Sequence, residues 1–209
     1  MNYYDEETVF SSVDKRGRYA FGKQKEILQW NLRRFAEALQ PLFDDASSTF
    51  DEIEATLDEF SERFDAQYYA MMHRKLGIES DGERKLVDRV VDWLRDSQAD
   101  YTNTFIELEQ PGSFDDPVYA AEAFEQLRTD VATVGLDSTL MTQTNPRYIP
   151  RNYLVEAALT EYLEDEDLST FNQLLTVLKN PYEPKDVHSQ FQQPPPEAYD
   201  SEYTTYCNT

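Results

Sequence analysis

Several residue types that mark common functional sites are scarce in this sequence of 209 residues. It holds one cysteine, two histidines and six glycines. A single cysteine cannot form an internal disulfide. His73 and His188 have no residues at metal-ligand spacing around them, and they suggest no Ser-His-Asp or Cys-His constellation. No glycine-rich phosphate-binding loop is present. We therefore predict no catalytic, cofactor-binding or metal-binding residues, and we expect both histidines at the surface.

Long apolar runs are absent as well. No stretch approaches the length that a membrane-spanning helix requires. The acidic N-terminus lacks the basic and apolar regions of a signal peptide. We expect a cytoplasmic protein with no membrane partner.

Basic residues are few compared with acidic ones. The chain has 19 Lys and Arg against 41 Asp and Glu, for a net charge of −22. Such a surface repels phosphate backbones, so no nucleic-acid partner is expected. Scarce lysine with abundant acid favours a halophilic protein, because high salt screens the self-repulsion. The alternative is an acidic mesophilic protein. Disorder is disfavoured, because 13% of the residues are aromatic.

Apolar residues recur at helical rather than strand spacing, which predicts an all-α architecture. An irregular N-terminal segment occupies residues 1–23, a helical body residues 24–180, and a proline- and tyrosine-rich extended tail residues 181–209. Ile27, Leu28, Phe35 and Leu39 are expected on one buried face of the first helix. The first two helices are predicted over residues 24–39 and 49–76, and a third begins at the capping box of residues 80–83. Helical character continues through residues 101–108, and another helix starts at Pro117. The last two helices are predicted over residues 152–163 and 168–178.

The segment from Asn145 to Leu154 carries more polar and aromatic residues than helix packing requires. Pro150 suits the first turn of the helix that follows. Arg147 and Arg151 lie four positions apart and share a face if the turn is helical. One interpretation is a capped helix start with solvated arginines. The other is that Arg147 and Arg151 contact a partner or substrate, since loops often carry function.

The segment from Met141 to Leu154 resembles a pattern of one protein family. That pattern reads Met-x-x-x-Asn-Pro-Lys-Tyr-x-Leu-Arg-Asn-Tyr-Leu, with Arg147 and Pro150 as the departures here. Further blocks agree in the same order, at residues 8–14 with 17–24, 30–32 with 36–39, 100–102, and 178–182 with 194–197. On these residues the chain is identified as a member of the SelO (selenoprotein O, YdiU) family of protein adenylyltransferases. Its charge favours a haloarchaeal member.

The resemblance implies both a fold and an activity. The fold would be the helical C-terminal portion of a protein-kinase-like (pseudokinase) fold. The complete family enzyme binds ATP and magnesium and transfers AMP to Ser, Thr or Tyr of protein substrates. The family's nucleotide-binding and metal-binding residues precede the part that Met1 matches. The resemblance thus implies that an N-terminal nucleotide-binding half is missing, and that this fragment holds no cofactor and is inactive alone.

The reason for such a missing half stays open at the level of sequence. A truncated gene, a split gene and a misassigned start codon are alternatives. The missing half itself would be the main partner. A second reading is a non-enzymatic acidic helical interaction module, or one subunit of a split enzyme.

Two sets of residues carry the implied roles. Residues 1–24 would correspond to the activation segment of a kinase, where Arg16 and Arg18 could contact an acidic partner. The alternative is a structural loop fastened by arginine hydrogen bonds to helix ends. Cys207 matches a family Cys or selenocysteine and is the redox candidate. It has no basic neighbour to lower its thiol pKa and no cysteine partner in this chain.

The charge balance predicts salt-dependent folding. At low ionic strength the carboxylates repel one another, so we expect the chain to unfold in dilute buffer and to refold in molar KCl. Circular dichroism across a KCl titration measures this. A melting temperature that does not change with salt would contradict the halophilic interpretation.

Overall fold

The computed structural model describes residues 2–43, 46–79, 84–184 and 186–196, together with Tyr199. Within these residues the chain is helical, as predicted, with no strand beyond one antiparallel bridge between Tyr3 and Asp100. The α-helices are α1 (Gln24–Leu39), α2 (Ala46–Asp58), α3 (Phe60–Lys75), α4 (Arg84–Ser97), α5 (Tyr101–Glu109), α6 (Glu122–Thr133), α7 (Ser138–Thr144), α8 (Asn152–Asp165) and α9 (Ser169–Leu178). Short 3₁₀ helices span Phe21–Lys23, Gln40–Leu42, Pro117–Ala120 and Asp186–Gln192.

The described residues divide into two units, and the division falls inside α3. One unit contains residues 5–70. The other contains residues 2–4 and the chain from Met71 onward. None of the described helices is long and apolar enough to cross a lipid bilayer.

In the unit of residues 5–70, a polar stripe of α1 faces its neighbours. Lys25 pairs with Asp65 at 2.7 Å, and Arg33 pairs with Glu54 at 2.8 Å. Gln29 donates to a backbone carbonyl of α2 at 3.0 Å. These three residues follow one another at helical spacing, so they define the inward face.

The predicted buried face of α1 is therefore wrong in part. Its limits at Gln24 and Leu39 are confirmed, and Ile27 and Leu39 are partly buried. Leu28 and Phe35, however, are 43% and 62% exposed. Apolar spacing alone could not show that α1 binds its neighbours through ion pairs.

The predicted helix over residues 49–76 is two helices, α2 and α3, which are separated at Glu59. The Glu59 carbonyl accepts from the Arg63 amide at 3.1 Å, and its carboxylate pairs with the Arg63 side chain. Glu59 thus provides the first acceptor of α3. Neither glycine nor proline marks the break, and apolar spacing continues across it.

Gly77 ends α3, as predicted. The Ile78 amide bonds to the His73 carbonyl at 2.9 Å, and the Gly77 amide bonds to the Arg74 carbonyl at 3.1 Å. This pair of bonds is a Schellman motif, which requires the left-handed conformation that Gly77 adopts at φ +73. The Gly77 carbonyl also accepts from the Asp137 amide at the start of α7.

The core of the second unit forms around α4 and α5. The predicted apolar residues Leu86, Val90 and Leu94 of α4 are buried. Trp93 is partly buried, with its ring 5.0 Å from that of Phe124. The capping box predicted at residues 80–83 lies outside the described residues.

Helix α5 lies in the centre of this unit, since six consecutive residues from Asn103 to Leu108 are buried. Burial on all sides requires the polar groups to be bonded. The Glu107 carboxylate accepts from three backbone amides, those of Gly112, Ser113 and Phe114. It thereby holds the turn that ends α5 against the helix.

Several other predictions need correction. The helix expected from Pro117 is a 3₁₀ helix followed by α6, and α7 was not predicted. Pro150 lies before α8, whose N-cap is Arg151.

The tail is not wholly extended, because Asp186–Gln192 is 3₁₀ helical and Phe191 is 3% exposed. Phe191 packs with Tyr148, Leu154 and Val177, an apolar cluster that the proline-rich composition concealed.

Replacement of Gly77 by alanine should destabilise the protein by about 2–4 kcal/mol. A Cβ there would lie 2.8 Å from the Asp137 backbone nitrogen and oxygen, in addition to the strain of the positive φ. Gly135→Ala is the matched control, because Gly135 has φ +85 with open space around it and should lose about 1 kcal/mol. Urea unfolding measures both. Equal losses of unfolding free energy in the two variants would show that the close approach of Gly77 to Asp137 does not contribute to stability.

Candidate functional site

The structure separates the predicted site residues into three groups. Arg147 and Arg151 are buried, at 9% and 3% exposure. Arg16 and Arg18 are exposed on the loop that precedes α1. Cys207 lies outside the described residues. The interpretation of Arg147 and Arg151 as solvated arginines is therefore wrong.

Arg151 forms a buried, bidentate ion pair with Asp100. Its two terminal nitrogens lie 2.6 Å and 3.0 Å from the two carboxylate oxygens of Asp100. The two side chains are 1% and 6% exposed. Asp100 is also the N-cap of α5, where its carboxylate accepts from the Asn103 amide at 2.9 Å. Two charges removed from water in this way depend on each other.

The pair gathers residues from distant parts of the chain. Arg151 donates to the Asn2 side chain at 3.1 Å and to the Gln192 carbonyl at 3.3 Å. Asn103 donates to the same Gln192 carbonyl at 3.1 Å. The Tyr101 amide donates to the Asn2 carbonyl at 2.7 Å. The first described residues and the tail are thus bound to α5 and α8 at a single point, which we call the Arg151 hub.

The rest of the segment from Asn145 to Leu154 is structural as well. Asn145 donates to the Lys75 carbonyl at the end of α3, at 2.7 Å. Arg147 lies 3.5 Å from the Glu109 carboxylate. The Arg147 and Tyr148 amides both donate to the Pro181 carbonyl. Arg147 and Arg151 would share a face only if the turn were helical, and that condition is not met, because both precede α8 in irregular backbone.

A pocket of about 300 Å³ lies beside the Arg151 hub. Its lining includes Asp100, Asn103, Asp116 and Tyr119. The Tyr119 hydroxyl lies 3.3 Å from that of Thr104, and burial raises the pKa of Tyr119 above its usual value. Asp116 caps the 3₁₀ helix through the Val118 amide. Since these polar groups are paired within the chain, we assign the pocket no ligand.

The loop that carries Arg16 and Arg18 is fastened by other residues. The Asp14 carboxylate accepts from the Arg18 and Tyr19 amides at 2.9 Å and 2.7 Å. Bonds from backbone amides, led by that of Tyr19, lower the pKa of Asp14. Lys23 donates to the Gly17 carbonyl at 3.1 Å. The alternative that arginine side chains hold the loop to helix ends is therefore wrong in detail.

The sequence analysis missed the surroundings of two basic residues in the last turn of α3, Lys75, which is partly buried, and His73, which is buried. Lys75 lies with its ammonium 4.3 Å from the Phe105 ring centre and 5.4 Å from that of Tyr101. Burial lowers the pKa of Lys75 to about 8, while the two rings favour its charged form.

His73 was expected at the surface but is 3% exposed, and neither ring nitrogen has a hydrogen-bond partner among the described residues. Its neighbours Met72 and Leu76 are buried as well, whereas Arg74 is exposed.

The described residues do not bring together three histidine, cysteine, aspartate or glutamate side chains at metal-binding distances. The side chain of His188 is outside the description.

Arg151→Met should destabilise the protein by about 3–5 kcal/mol, because Asp100 would remain buried without its counter-charge. Adding Asp100→Asn should recover part of this loss, because Asn removes the buried charge and keeps an acceptor for the helix cap. Arg95→Met is the control, since Arg95 pairs with Asp92 and Asp96 at the surface and should change stability by less than about 0.5 kcal/mol. Urea unfolding of the variants measures the losses. Equal losses for Arg151→Met and Arg95→Met would show that the buried pair is not stabilising.

Comparison with known proteins agrees with the resemblance drawn from the motifs. The family model described as "Protein adenylyltransferase SelO" matches residues 1–137. Relatives named "Protein nucleotidyltransferase YdiU" are 37% identical in Alcanivorax borkumensis, 38% in Nitrosococcus oceani and 36% in Clostridium botulinum strain Alaska E43. Each match covers 100% of this chain but only 44–45% of the relative, so the chain spans less than half the length of these relatives. Because the family model covers about two thirds of the chain, the chain belongs to the SelO family.

Proposed function

We propose that this chain is the helical C-terminal part of a SelO-type protein adenylyltransferase with a kinase-like architecture. It would act with an N-terminal nucleotide-binding half, which holds ATP and magnesium, to transfer AMP to Ser, Thr or Tyr of protein substrates. Family membership supports this proposal, as do the relatives named nucleotidyltransferases, of which the chain matches less than half.

The observation that carries the proposal is the anchoring of residues 2–4. Asn2 accepts from Tyr101 and Arg151, Tyr3 bridges to Asp100, and Tyr4 is 7% exposed with its ring 6.4 Å from that of Tyr101. By the resemblance, these residues directly follow the family's metal-binding motif. The Arg151 hub would then fix where that motif stands relative to the helical body. Such positioning is the main contribution a scaffold makes to phosphoryl-type transfer.

Exposed apolar side chains favour a covering partner. Leu163 is 79% exposed on α8, and Phe171 is 42% exposed on α9. In the other unit, Leu42 is 76% exposed. Exposed apolar surface of this kind is typical of interaction faces. It fits both the proposed N-terminal half and the second candidate function, a separately encoded subunit of a split enzyme.

The remaining roles follow from the same proposal. Residues 1–24 would serve as an activation-like segment near the protein substrate. Cys207 would be the redox-sensitive residue. The halophilic and haloarchaeal assignment rests on net charge alone.

A chimera tests the proposed function. The region of the Alcanivorax borkumensis relative that this chain matches is replaced by this chain, and transfer of labelled AMP from ATP to protein is measured with magnesium. We expect transfer within about tenfold of the intact relative, since 37% identity covers the whole chain. This chain alone, and the relative without its matched region, should transfer none.

Two outcomes would contradict the proposal. AMP transfer by the 209-residue chain alone would show that it is not a fragment of the active unit. A chimera that folds, as judged by circular dichroism, yet transfers no AMP would show that the chain cannot serve as the C-terminal part of the enzyme.

A further inference from the structure

Positive charge is concentrated in one short part of this acidic chain. Residues 15–34 contain seven of the 19 Lys and Arg and a single acidic residue, Glu26. Their net charge is thus strongly positive in a chain whose total is −22. The segment lies wholly within the unit of residues 5–70.

Only part of this positive charge is neutralised within the unit. Lys25, Arg33 and Arg34 pair with Asp65, Glu54 and Glu37, respectively. By contrast, Lys15, Arg16 and Arg18 are exposed and form no ion pair with any described carboxylate. The nearby Asp14 carboxylate is occupied by the backbone amides of the loop.

Aromatic rings lie beside the unpaired charges. The Arg18 guanidinium lies 4.4 Å from the Trp30 ring centre and 5.7 Å from that of Tyr19. Arg34 approaches the same Trp30 ring at 5.6 Å. A guanidinium stacked on a ring keeps its in-plane N–H donors available for a carboxylate. Trp30 and Tyr19 remain 46% and 48% exposed.

The loop is fixed without using these arginine side chains. Asp14 holds its amides, Lys23 closes it onto Gly17, and Gln24 donates to the Tyr19 carbonyl at 2.9 Å. The arginine side chains are thus presented from an ordered backbone, which lowers the entropy lost on binding.

We propose that Lys15, Arg16, Arg18, Tyr19 and Trp30 form a docking surface for a short, carboxylate-rich segment of another polypeptide. Arginine forks bind carboxylates in a bidentate manner, and the rings add contact area for neighbouring side chains. A long polyanion such as a nucleic acid is disfavoured, because beyond this surface it would meet the acidic remainder of the chain. Binding of such an acidic segment does not depend on whether the chain takes part in AMP transfer.

Fluorescence anisotropy with a short labelled polyglutamate peptide tests the docking surface. The probe is titrated with the 209-residue chain, without ATP, at the lowest KCl concentration at which circular dichroism shows the chain folded. We expect Arg16→Gln combined with Arg18→Gln to weaken binding about five- to tenfold. The matched control, Lys85→Gln combined with Lys179→Gln, removes the same charge from exposed sites elsewhere and should change binding less than about twofold.

Two further probes, used in the same assay, distinguish the possible ligands. A polyglutamine peptide should not bind, and an oligothymidylate of equal charge should bind more weakly than polyglutamate. Equal loss in both double variants would overturn the proposal, as would tighter binding of the oligothymidylate. Arg18→Lys provides a second variant that keeps the charge but loses the fork, and it should bind with intermediate affinity. These assays measure binding alone, so their failure would leave the proposed AMP transfer standing.

Discussion

The buried pair of Arg151 and Asp100 is the interaction on which the larger unit depends. Its charges are almost fully removed from water, so each is stable only in the presence of the other. Because Asp100 also caps α5 and Arg151 precedes α8, the pair fixes these two helices to each other. Asn2 and Gln192 complete the hub from opposite ends of the described chain. A lysine could not replace this arginine, since its two terminal nitrogens make five hydrogen bonds.

The protein uses its charges in two different ways. Most of the acidic excess is spread over the surface, while part of the positive charge is buried in pairs, as at Arg147 and Arg151, and another part is concentrated before and within α1. Charge repulsion between carboxylates is relieved by salt, whereas a buried pair is screened little. The hub should therefore persist across salt concentrations that alter the stability of the exposed acidic surface.

The sequence predicted local structure better than the contacts that organise it. Helical spacing and Gly77 correctly located α1, the apolar face of α4 and the end of α3, because caps and periodicity are local properties. The partner of Arg151 lies far away in sequence at Asp100, and no local pattern pairs them. Leu28 and Phe35 were placed inward because periodicity identifies an apolar face but not the surface it meets. The prediction that His73 lies at the surface was wrong for the same reason, since the burial of one residue depends on contacts distant in sequence.

Hydrogen exchange tests most directly whether the Arg151 hub joins both ends of the described chain to the helical body. The amide of Tyr101, which bonds to Asn2, and the peptides that contain residues 2–4 and 189–196 are followed in the wild-type chain and in Arg151→Lys. If the hub joins both ends of the described chain, both segments should lose protection together in Arg151→Lys, while the buried centre of α4 should remain protected. Unchanged exchange at both ends, or loss at only one of them, would contradict it.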